Sequence, residues 1–361
     1  MKKILVAAGG TGGHLFPALA VVETLKSKLK DEVNFIFFGC PDKIEGRIVP
    51  LLGYEFYETN LCGVSKLLSL DGLKLLFKII KEIIRLKSFI KKQNIDAVLC
   101  AGAYLSIPAG IASKLLKRKL FLMESNVNIG KANKFLACSA DIIFTSFEQT
   151  KNYLSKNIQK KIILSGNPIR NSILKAKTRE EAFKKFELKD DKPVVLIFGG
   201  SLGAQSINNA VIDNLNNFSN KEYQILWQCG NSNKLSVLLP ENIKLVNFID
   251  DMGDAYAIAD LVVSRAGATS VAEICAVGKP SILIPLPSAS NNEQYLNAKE
   301  MSAKGASIII ENSVISEKLF LLIDQLINDK SMLITMSNNA ALLGHTNASE
   351  VISNEIINVL I

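Results

Sequence analysis

The sequence predicts an α/β fold made of two domains, each a parallel sheet flanked by helices. The chain has 361 residues, which is more than a single hydrophobic core usually serves. Short apolar runs alternate with helical stretches in both halves of the chain. Each half also opens with an apolar strand, a glycine-rich turn and the start of a helix, at residues 9–14 and again at 199–204. Two similar α/β domains follow from these observations.

Strands are predicted wherever a short apolar run is bounded by turn residues or by a helical pattern. The predicted strands of the first half are residues 3–7, 34–38, 97–100, 120–123 and 142–145. In the second half they are residues 194–198 and 261–264. Parallel strands joined by helices bury both faces of a sheet, which explains why these runs are almost continuously apolar.

The boundary between the domains is predicted near a turn at residues 166–168, which a charged stretch follows. We therefore place the first domain at residues 1–168 and the second at residues 169–344. A last helix, at about residues 345–361, is expected to pack back on the first domain.

Composition excludes several classes of protein. The apolar run after Lys3 ends at Gly9, which is too short for a signal peptide, and no run of 18 apolar residues could span a membrane. The six cysteines are widely spaced and only two histidines are present, so neither a disulfide framework nor a zinc site is expected. The sequence thus predicts a cytoplasmic protein that binds no metal and whose cysteines are reduced and buried.

Positive charge is concentrated in residues 66–92, which carry eight lysines and arginines against two acidic residues. Basic residues recur there at helical spacing, as Lys74, Lys78, Lys81 and Arg85, among large apolar residues. Two interpretations stay open: a helix that packs on the sheet with a solvated basic face, or a helix that also rests on an anionic membrane. Nucleic acid is not expected, because aromatic residues for base stacking are sparse here.

The first glycine turn is predicted to lie at the carboxyl edge of its sheet, where ligands of open α/β sheets bind. The following helix would direct its N-terminal N–H groups at an anion. No Gly-Lys-Ser/Thr follows, which excludes a P-loop, and Leu15 stands where a dinucleotide fingerprint needs its last glycine.

Glu273 has two interpretations from the local sequence. Ser270 and Glu273 have the spacing of a capping box, which would explain the glutamate structurally. A carboxylate that follows a strand at the ligand edge could instead accept hydrogen bonds from the two hydroxyls of a ribose.

Eight motifs in order resemble the MurG family of bacterial glycosyltransferases. They are residues 9–17, 103–108, 124–126, 166–170, 199–204, 248–252, 265–269 and 294–298. The resemblance implies a GT-B architecture, in which two Rossmann-like domains face each other across a cleft. It also implies the transfer of N-acetylglucosamine from UDP-N-acetylglucosamine to the C4 hydroxyl of N-acetylmuramic acid in undecaprenyl-linked lipid I. The product, lipid II, belongs to peptidoglycan synthesis, which places the protein on the cytoplasmic face of the bacterial inner membrane.

The resemblance also implies roles for individual residues. In the second domain, Ile249 would hold uracil through its backbone, Arg170 would lie beside the nucleotide, and Glu273 would bind the ribose diol. The other implied contacts to the sugar nucleotide are Ser201 at the pyrophosphate, Ala268, Asn126 and Gln294 at the sugar, and Thr269, for which no part of the ligand is specified. In the first domain, the residues implied to line the substrate near the acceptor pyrophosphate are Thr11, Gly12 and Gly13. The sequence departs from the family at Met123, where histidine is usual, and at Glu293, where glutamine or histidine is common. It also has Cys100 and Ala103 where glycines are usual.

His14 is our hypothesis for the general base of an inverting transfer, because a helix N-terminus favours the neutral, proton-accepting imidazole. Alternatively, His14 binds the acceptor pyrophosphate or braces the loop, and Glu124 is the second candidate for the base. Three other functions remain open: a GT-B glycosyltransferase with another acceptor, a UDP-N-acetylglucosamine 2-epimerase, and a nucleotide-binding module without activity.

Overall fold

The computed structural model describes residues 1–61, 70–175, 178–200, 203–230 and 238–361, and for residues 70–75 it describes the backbone alone. The chain forms two compact units. The first comprises Met1–Ile169 and Asn347–Ile361, and the second comprises Arg170–Thr346. The assignment of the acceptor to the first unit and of the sugar nucleotide to the second stays a prediction.

Each unit is built on one parallel sheet. The strands of the first unit are β1 (Lys2–Ala7), β2 (Val33–Gly39), β3 (Glu55–Glu58), β4 (Ala97–Cys100), β5 (Lys119–Glu124), β6 (Ile142–Thr145) and β7 (Ile162–Leu164). Those of the second unit are β8 (Val194–Phe198), β9 (Gln224–Gln228), β10 (Ile243–Val246), β11 (Leu261–Ser264), β12 (Ser281–Leu283) and β13 (Ser307–Ile309). The orders are β3-β2-β1-β4-β5-β6-β7 and β10-β9-β8-β11-β12-β13, so chain order reverses beside β1 and beside β8. Ligands of open parallel sheets bind at such reversal points.

Helices cover both faces of each sheet. The first unit contains α1 (Gly12–Leu29), α2 (Ile44–Leu51), α3 (Leu70–Gln93), α4 (Ser106–Leu115), α5 (Lys131–Leu136) and α6 (Lys156–Gln159). The second contains α7 (Asn171–Leu174), α8 (Arg179–Phe186), α9 (Gln205–Asp213), α10 (Leu215–Phe218), α11 (Met252–Ile258), α12 (Ala268–Ala276), α13 (Glu293–Ala303), α14 (Ile315–Asn328) and α15 (Lys330–Leu342). The last helix, α16 (Ala348–Leu360), belongs to the first unit.

The strand β1 shows why the first unit needs helices on both faces. Ile4 and Val6 are buried in one apolar cluster, and Leu5 and Ala7 are buried in another. Successive side chains of a strand point to opposite faces, so a fully apolar strand requires a covered sheet on each side. The helix α16 completes one of these layers: its Ile352 and Ile356 are buried in the cluster that contains Ile4.

Every strand that the apolar runs predict is confirmed, within two residues at each end. Two edge strands of the first sheet, β3 and β7, were not predicted, and neither were β9, β10, β12 and β13 of the second sheet. The strand β3 has a glutamate at each end of two aromatic residues, and β7 is three residues long, so neither offers the continuous apolar run that marks a central strand.

The expectation that all cysteines are buried is wrong for Cys138, which is exposed just beyond the end of α5. Cys62 lies outside the described residues. Among the helices that the structure describes, none has both the length and the apolar character that a membrane span requires.

Candidate functional site

The first glycine turn joins β1 to α1. Gly10 has φ of +82°, a left-handed conformation that glycine adopts without strain. Thr11 is the N-cap residue of α1, and its carbonyl oxygen accepts the backbone N–H of His14 at 3.2 Å. Thr11, Gly12 and Gly13 therefore form the entry to the helix, and His14 lies in its first turn.

The imidazole of His14 is oriented by Ala101, the residue that follows the neighbouring strand β4. Its Nδ1 lies 2.7 Å from the carbonyl oxygen of Ala101. A carbonyl oxygen can only accept, so Nδ1 carries the proton and Nε2 is the proton acceptor of the neutral ring. A side chain at Gly102 would approach His14 Cε1 to 3.2 Å, so glycine leaves room for the ring there.

The environment of His14 favours its neutral form. Burial lowers its pKa, and the hydrogen bond to Ala101 and the charge of Glu45 partly oppose this effect. A neutral ring whose Nε2 can accept is what a general base requires.

The carboxylate of Glu124, at the end of β5, is buried and surrounded by donors. It accepts hydrogen bonds from the backbone N–H of Asn126 at 3.0 Å, from that of Gly130 at 2.9 Å and from Nδ2 of Asn133 at 2.9 Å. The side chain of Asn126 also bonds to it. Burial raises the pKa of Glu124, and these hydrogen bonds oppose the shift. The arrangement fixes the loop that follows β5.

His14 and Glu124 belong to one cluster at the carboxyl edge of the first sheet. Nδ2 of Asn133 lies 3.7 Å from the position that a Gly102 side chain would occupy, and the same position faces His14. The order β1-β4-β5 explains this grouping, because the loops after three adjacent parallel strands meet at one edge.

The second glycine turn joins β8 to α9. Gly200 and Gly203 have φ of +97° and +77°. A Cβ atom at Gly203 would lie 2.1 Å from the carbonyl oxygen of Cys229, so only glycine fits against that neighbouring loop. Ser201, the predicted pyrophosphate contact, lies outside the described residues.

Gln228, at the end of β9, links this turn to Ile249. Its Nε2 donates to the carbonyl oxygen of Gly200 at 2.9 Å, and its Oε1 accepts the backbone N–H of Ile249 at 2.9 Å. The predicted pyrophosphate turn and the predicted uracil residue are thereby held at a fixed spacing.

Glu273 is buried on α12, and the capping-box interpretation is wrong. The N-cap of α12 is Gly267, so Ser270 is the third residue of the helix and Glu273 is the sixth. Its Oε1 lies 3.3 Å from Nη2 of Arg170, and its Oε2 accepts the hydroxyl of Tyr256 at 3.2 Å. Burial raises the pKa of Glu273, while Arg170 and Tyr256 act in the opposite direction.

The remaining predicted sugar contacts lie near the ends of β11 and β12. Ala268 is the first residue of α12, and the buried hydroxyl of Thr269 has no hydrogen-bond partner among the described residues. Oε1 of Gln294 accepts the backbone N–H of Leu286 at 3.0 Å, which fixes the orientation of its amide.

Sequence reasoning missed the residues that hold these groups in place. They are Glu45, Asn133, Gln228 and Tyr256. Each makes its decisive hydrogen bond to a residue on another element, so neither local spacing nor a motif marks it. The predicted parallel topology could have indicated these residues, because it brings together the loops that follow adjacent strands.

Comparison with known proteins assigns the chain to a family. Residues 4–145 match the glycosyltransferase family 28 N-terminal domain, and residues 194–352 match the glycosyltransferase family 28 C-terminal domain. A curated relative from Bacillus thuringiensis (strain Al Hakam) is 35% identical over 99% of this chain and 99% of its own. Its name is UDP-N-acetylglucosamine–N-acetylmuramyl-(pentapeptide) pyrophosphoryl-undecaprenol N-acetylglucosamine transferase 2.

Solved structures agree with this assignment. The crystal structure of Acinetobacter baumannii MurG is 28% identical, with a TM-score of 0.78, and the match covers 99% of this chain and 100% of that one. A UDP-GlcNAc 2-epimerase from Neisseria meningitidis has a TM-score of 0.71 over 99% of this chain and 100% of its own, but at 15% identity it shares the fold alone. The chain belongs to glycosyltransferase family 28, and within it to the family of UDP-N-acetylglucosamine–N-acetylmuramyl-(pentapeptide) pyrophosphoryl-undecaprenol N-acetylglucosamine transferases.

Proposed function

We propose that this chain transfers N-acetylglucosamine from UDP-N-acetylglucosamine to the muramyl C4 hydroxyl of lipid I, with His14 as the general base. Family membership supports the substrates and the reaction. The observation that carries the catalytic assignment is the hydrogen bond from Nδ1 of His14 to Ala101, which leaves Nε2 as the acceptor. The epimerase alternative is not favoured, because that likeness is limited to the fold.

The proposed chemistry is a single displacement. Nε2 of His14 takes the proton of the acceptor hydroxyl as the hydroxyl oxygen bonds to the anomeric carbon of the sugar. The bond from that carbon to the β-phosphate oxygen breaks, and its electron pair leaves with UDP. Backbone N–H groups of the second glycine turn and the N-terminal end of α9 would stabilise the developing negative charge.

Glu124 has a different proposed role. A carboxylate that already accepts three hydrogen bonds at 2.9–3.0 Å is suited to holding a loop rather than to collecting a proton from a substrate. We assign Glu124 to positioning Asn126 and the loop after β5.

The nucleotide is proposed to bind at the carboxyl edge of the second sheet. Glu273 would accept the ribose hydroxyls with the lone pairs that Arg170 and Tyr256 leave available, since a carboxylate can accept about four hydrogen bonds. The backbone of Ile249 would meet uracil, and Ser201 the pyrophosphate. The proposed contacts to the sugar are Ala268, Thr269, Gln294 and Asn126.

A transfer assay tests the reaction directly. Radiolabelled UDP-N-acetylglucosamine and a lipid I analogue are expected to give a labelled lipid disaccharide together with UDP. Label that stays water-soluble as an epimerised sugar, or UDP binding without any product, would reject the proposed reaction.

The outer face of α3 is the proposed membrane-contacting surface. Its exposed apolar residues are Leu76, Phe77, Ile80 and Ile84. Lys78, Lys81 and Lys87 are exposed among them, and the helix ends with two more lysines. The side chain of Lys74 lies outside the described residues. Apolar residues set among lysines match the requirements of an anionic bilayer surface.

Arg85 differs from the lysines of this surface. Its Nε donates to Glu82 at 3.0 Å, its Nη2 contacts the carbonyl oxygen of Glu58, and its guanidinium lies 4.5 Å from the ring centre of Tyr57. Arg85 thus attaches α3 to the edge strand β3, and we assign the electrostatic attraction to the lysines.

Replacing both Phe77 and Ile84 with serine is expected to reduce binding to vesicles of phosphatidylglycerol at least about tenfold at low salt, because two apolar anchors are lost. Sedimentation with vesicles measures this. The matched control replaces Leu321 and Ile334 of the second unit, which are 63% and 61% exposed against 71% and 64% for Phe77 and Ile84. Wild-type binding that is absent, or indifferent to salt, would contradict the proposal.

A further inference from the structure

Glu45, the second residue of α2, is a fully buried carboxylate in the first unit. Its Oε2 accepts the backbone N–H of Gly10 at 2.8 Å, and its Oε1 accepts that of Cys40 at 3.1 Å. Among the described residues, no lysine or arginine forms an ion pair with it. A buried carboxylate without a cationic partner is costly, so its place beside the first glycine turn requires an explanation.

Two glycines of the surrounding loops are shaped around this side chain. A Cβ atom at Gly9 would lie 2.3 Å from Cδ of Glu45, and one at Gly39 would lie 2.5 Å from its Cγ. The glycines after β1 and at the end of β2 therefore serve to admit an internal carboxylate. The carboxylate of Glu45 accepts the N–H of Gly10. Without Glu45, that N–H of the first glycine turn could bind an anionic substrate.

The negative charge of Glu45 also acts on His14, whose pKa it raises against the lowering effect of burial. Other titratable groups surround this turn. They are the hydroxyl of Tyr104 and the thiol of Cys40, which lie 3.6 Å apart, and the carboxylate of Glu124, which Asn133 and two backbone N–H groups bind. Of these groups, Glu45 is the one whose charge contributes to the shift of His14.

We propose that Glu45 is a positioning residue of the transfer: it holds the glycine turn that carries His14, and its charge stabilises the imidazolium formed when His14 takes the acceptor proton. The inference rests on the proposed role of His14 as the base. The proton that leaves the acceptor hydroxyl stays on Nε2 of His14 and is not passed to Glu45.

The test compares Glu45→Gln with wild type by two independent measurements on the full chain. The first is the titration of the His14 ring by NMR, with His345→Asn as the variant that assigns the two histidine signals. The second is the pH profile of kcat/KM for transfer. Loss of the negative charge is expected to lower the pKa of His14, so its titration and the acid limb of the profile both move to lower pH. The plateau is expected to fall about tenfold or more, because the imidazolium is less stabilised.

The two measurements separate this inference from the proposed function. If the His14 titration moves but the acid limb does not, Glu45 acts on His14 while His14 is not the base. If the titration of His14 stays at its wild-type pH in Glu45→Gln, the inference is overturned. Glu32→Gln, an exposed change in the same unit, should alter neither measurement.

Glu45→Asp keeps the inference testable if the glutamine variant does not fold. Aspartate keeps the charge but is one methylene shorter. In Glu45→Asp, His14 is therefore expected to titrate near its wild-type pH, while transfer is at least about tenfold slower. Wild-type turnover in Glu45→Asp would overturn the positioning role.

Discussion

Replacing His14 with asparagine is expected to reduce kcat by about 10²- to 10⁴-fold, the usual contribution of a general base. The Nδ2 of asparagine can occupy the position of Nδ1 and keep the hydrogen bond to Ala101, whereas the acceptor Nε2 is lost. The affinity for UDP-N-acetylglucosamine should stay within about twofold, because the proposed nucleotide contacts lie on other elements. Steady-state transfer and equilibrium binding of the donor measure the two effects.

The chain provides its own control for this experiment, since it has only two histidines. His345→Asn removes the second, and it should transfer at the wild-type rate. Near-normal turnover in His14→Asn together with loss of activity in Glu124→Gln would exchange the proposed roles of these two residues. Wild-type transfer should also decline as the pH falls through the pKa of His14, which burial has lowered, because the protonated ring is no longer a base.

Replacing Glu273 with glutamine is expected to weaken UDP binding about 10- to 100-fold. A hydrogen bond to a charged group contributes about 1.5–3 kcal/mol, and about 1.4 kcal/mol corresponds to a factor of ten. Binding of UDP and of 2′-deoxy-UDP, measured by calorimetry, isolates the ribose contact. Wild type should prefer UDP, and the variant should bind the two almost equally.

The same pair of ligands reveals the ionisation of Glu273. Its pKa is raised by burial, so the carboxylate is protonated at a higher pH than an ordinary glutamate as the solution is acidified. The preference for UDP over 2′-deoxy-UDP should therefore decline from a higher pH than an exposed glutamate would give. Titration of the phosphates is common to both ligands and cancels in the ratio. A preference that Glu273→Gln retains in full would contradict the ribose assignment, and Glu317→Gln, on the exposed first turn of α14, is the matched control.

The sequence was sufficient for the fold and for the location of both glycine turns, because those features depend on local patterns. The apolar runs of β1, β4 and β8 mark strands by themselves, and each glycine turn follows its strand directly. The edge strand β3 was not predicted because an edge strand pairs on one side only and tolerates charged residues, and β3 begins and ends with a glutamate.

The parts of the site that were not predicted depend on distant contacts. The capping interpretation of Glu273 failed because α12 begins three residues earlier than the Ser270 spacing suggests. Glu45 was missed because its hydrogen bond joins residues 35 positions apart, through a sheet register that no short motif encodes. An ionisable side chain that positions another residue can be recognised only once the loops at the edge of the sheet have been brought together. The residues proposed to contact substrate were recognised from motifs.

The placement of α16 in the first unit has a consequence for how the chain is made. The second unit, Arg170–Thr346, is one continuous segment inserted into the first, which comprises segments on both sides of it. Ile352 and Ile356 fill the same core as Ile4, and Ser353 donates a hydrogen bond from its Oγ to the carbonyl oxygen of Val21. During synthesis the inserted unit can therefore complete its core before α16 is made, whereas the core that contains Ile4 is completed only after α16 has left the ribosome.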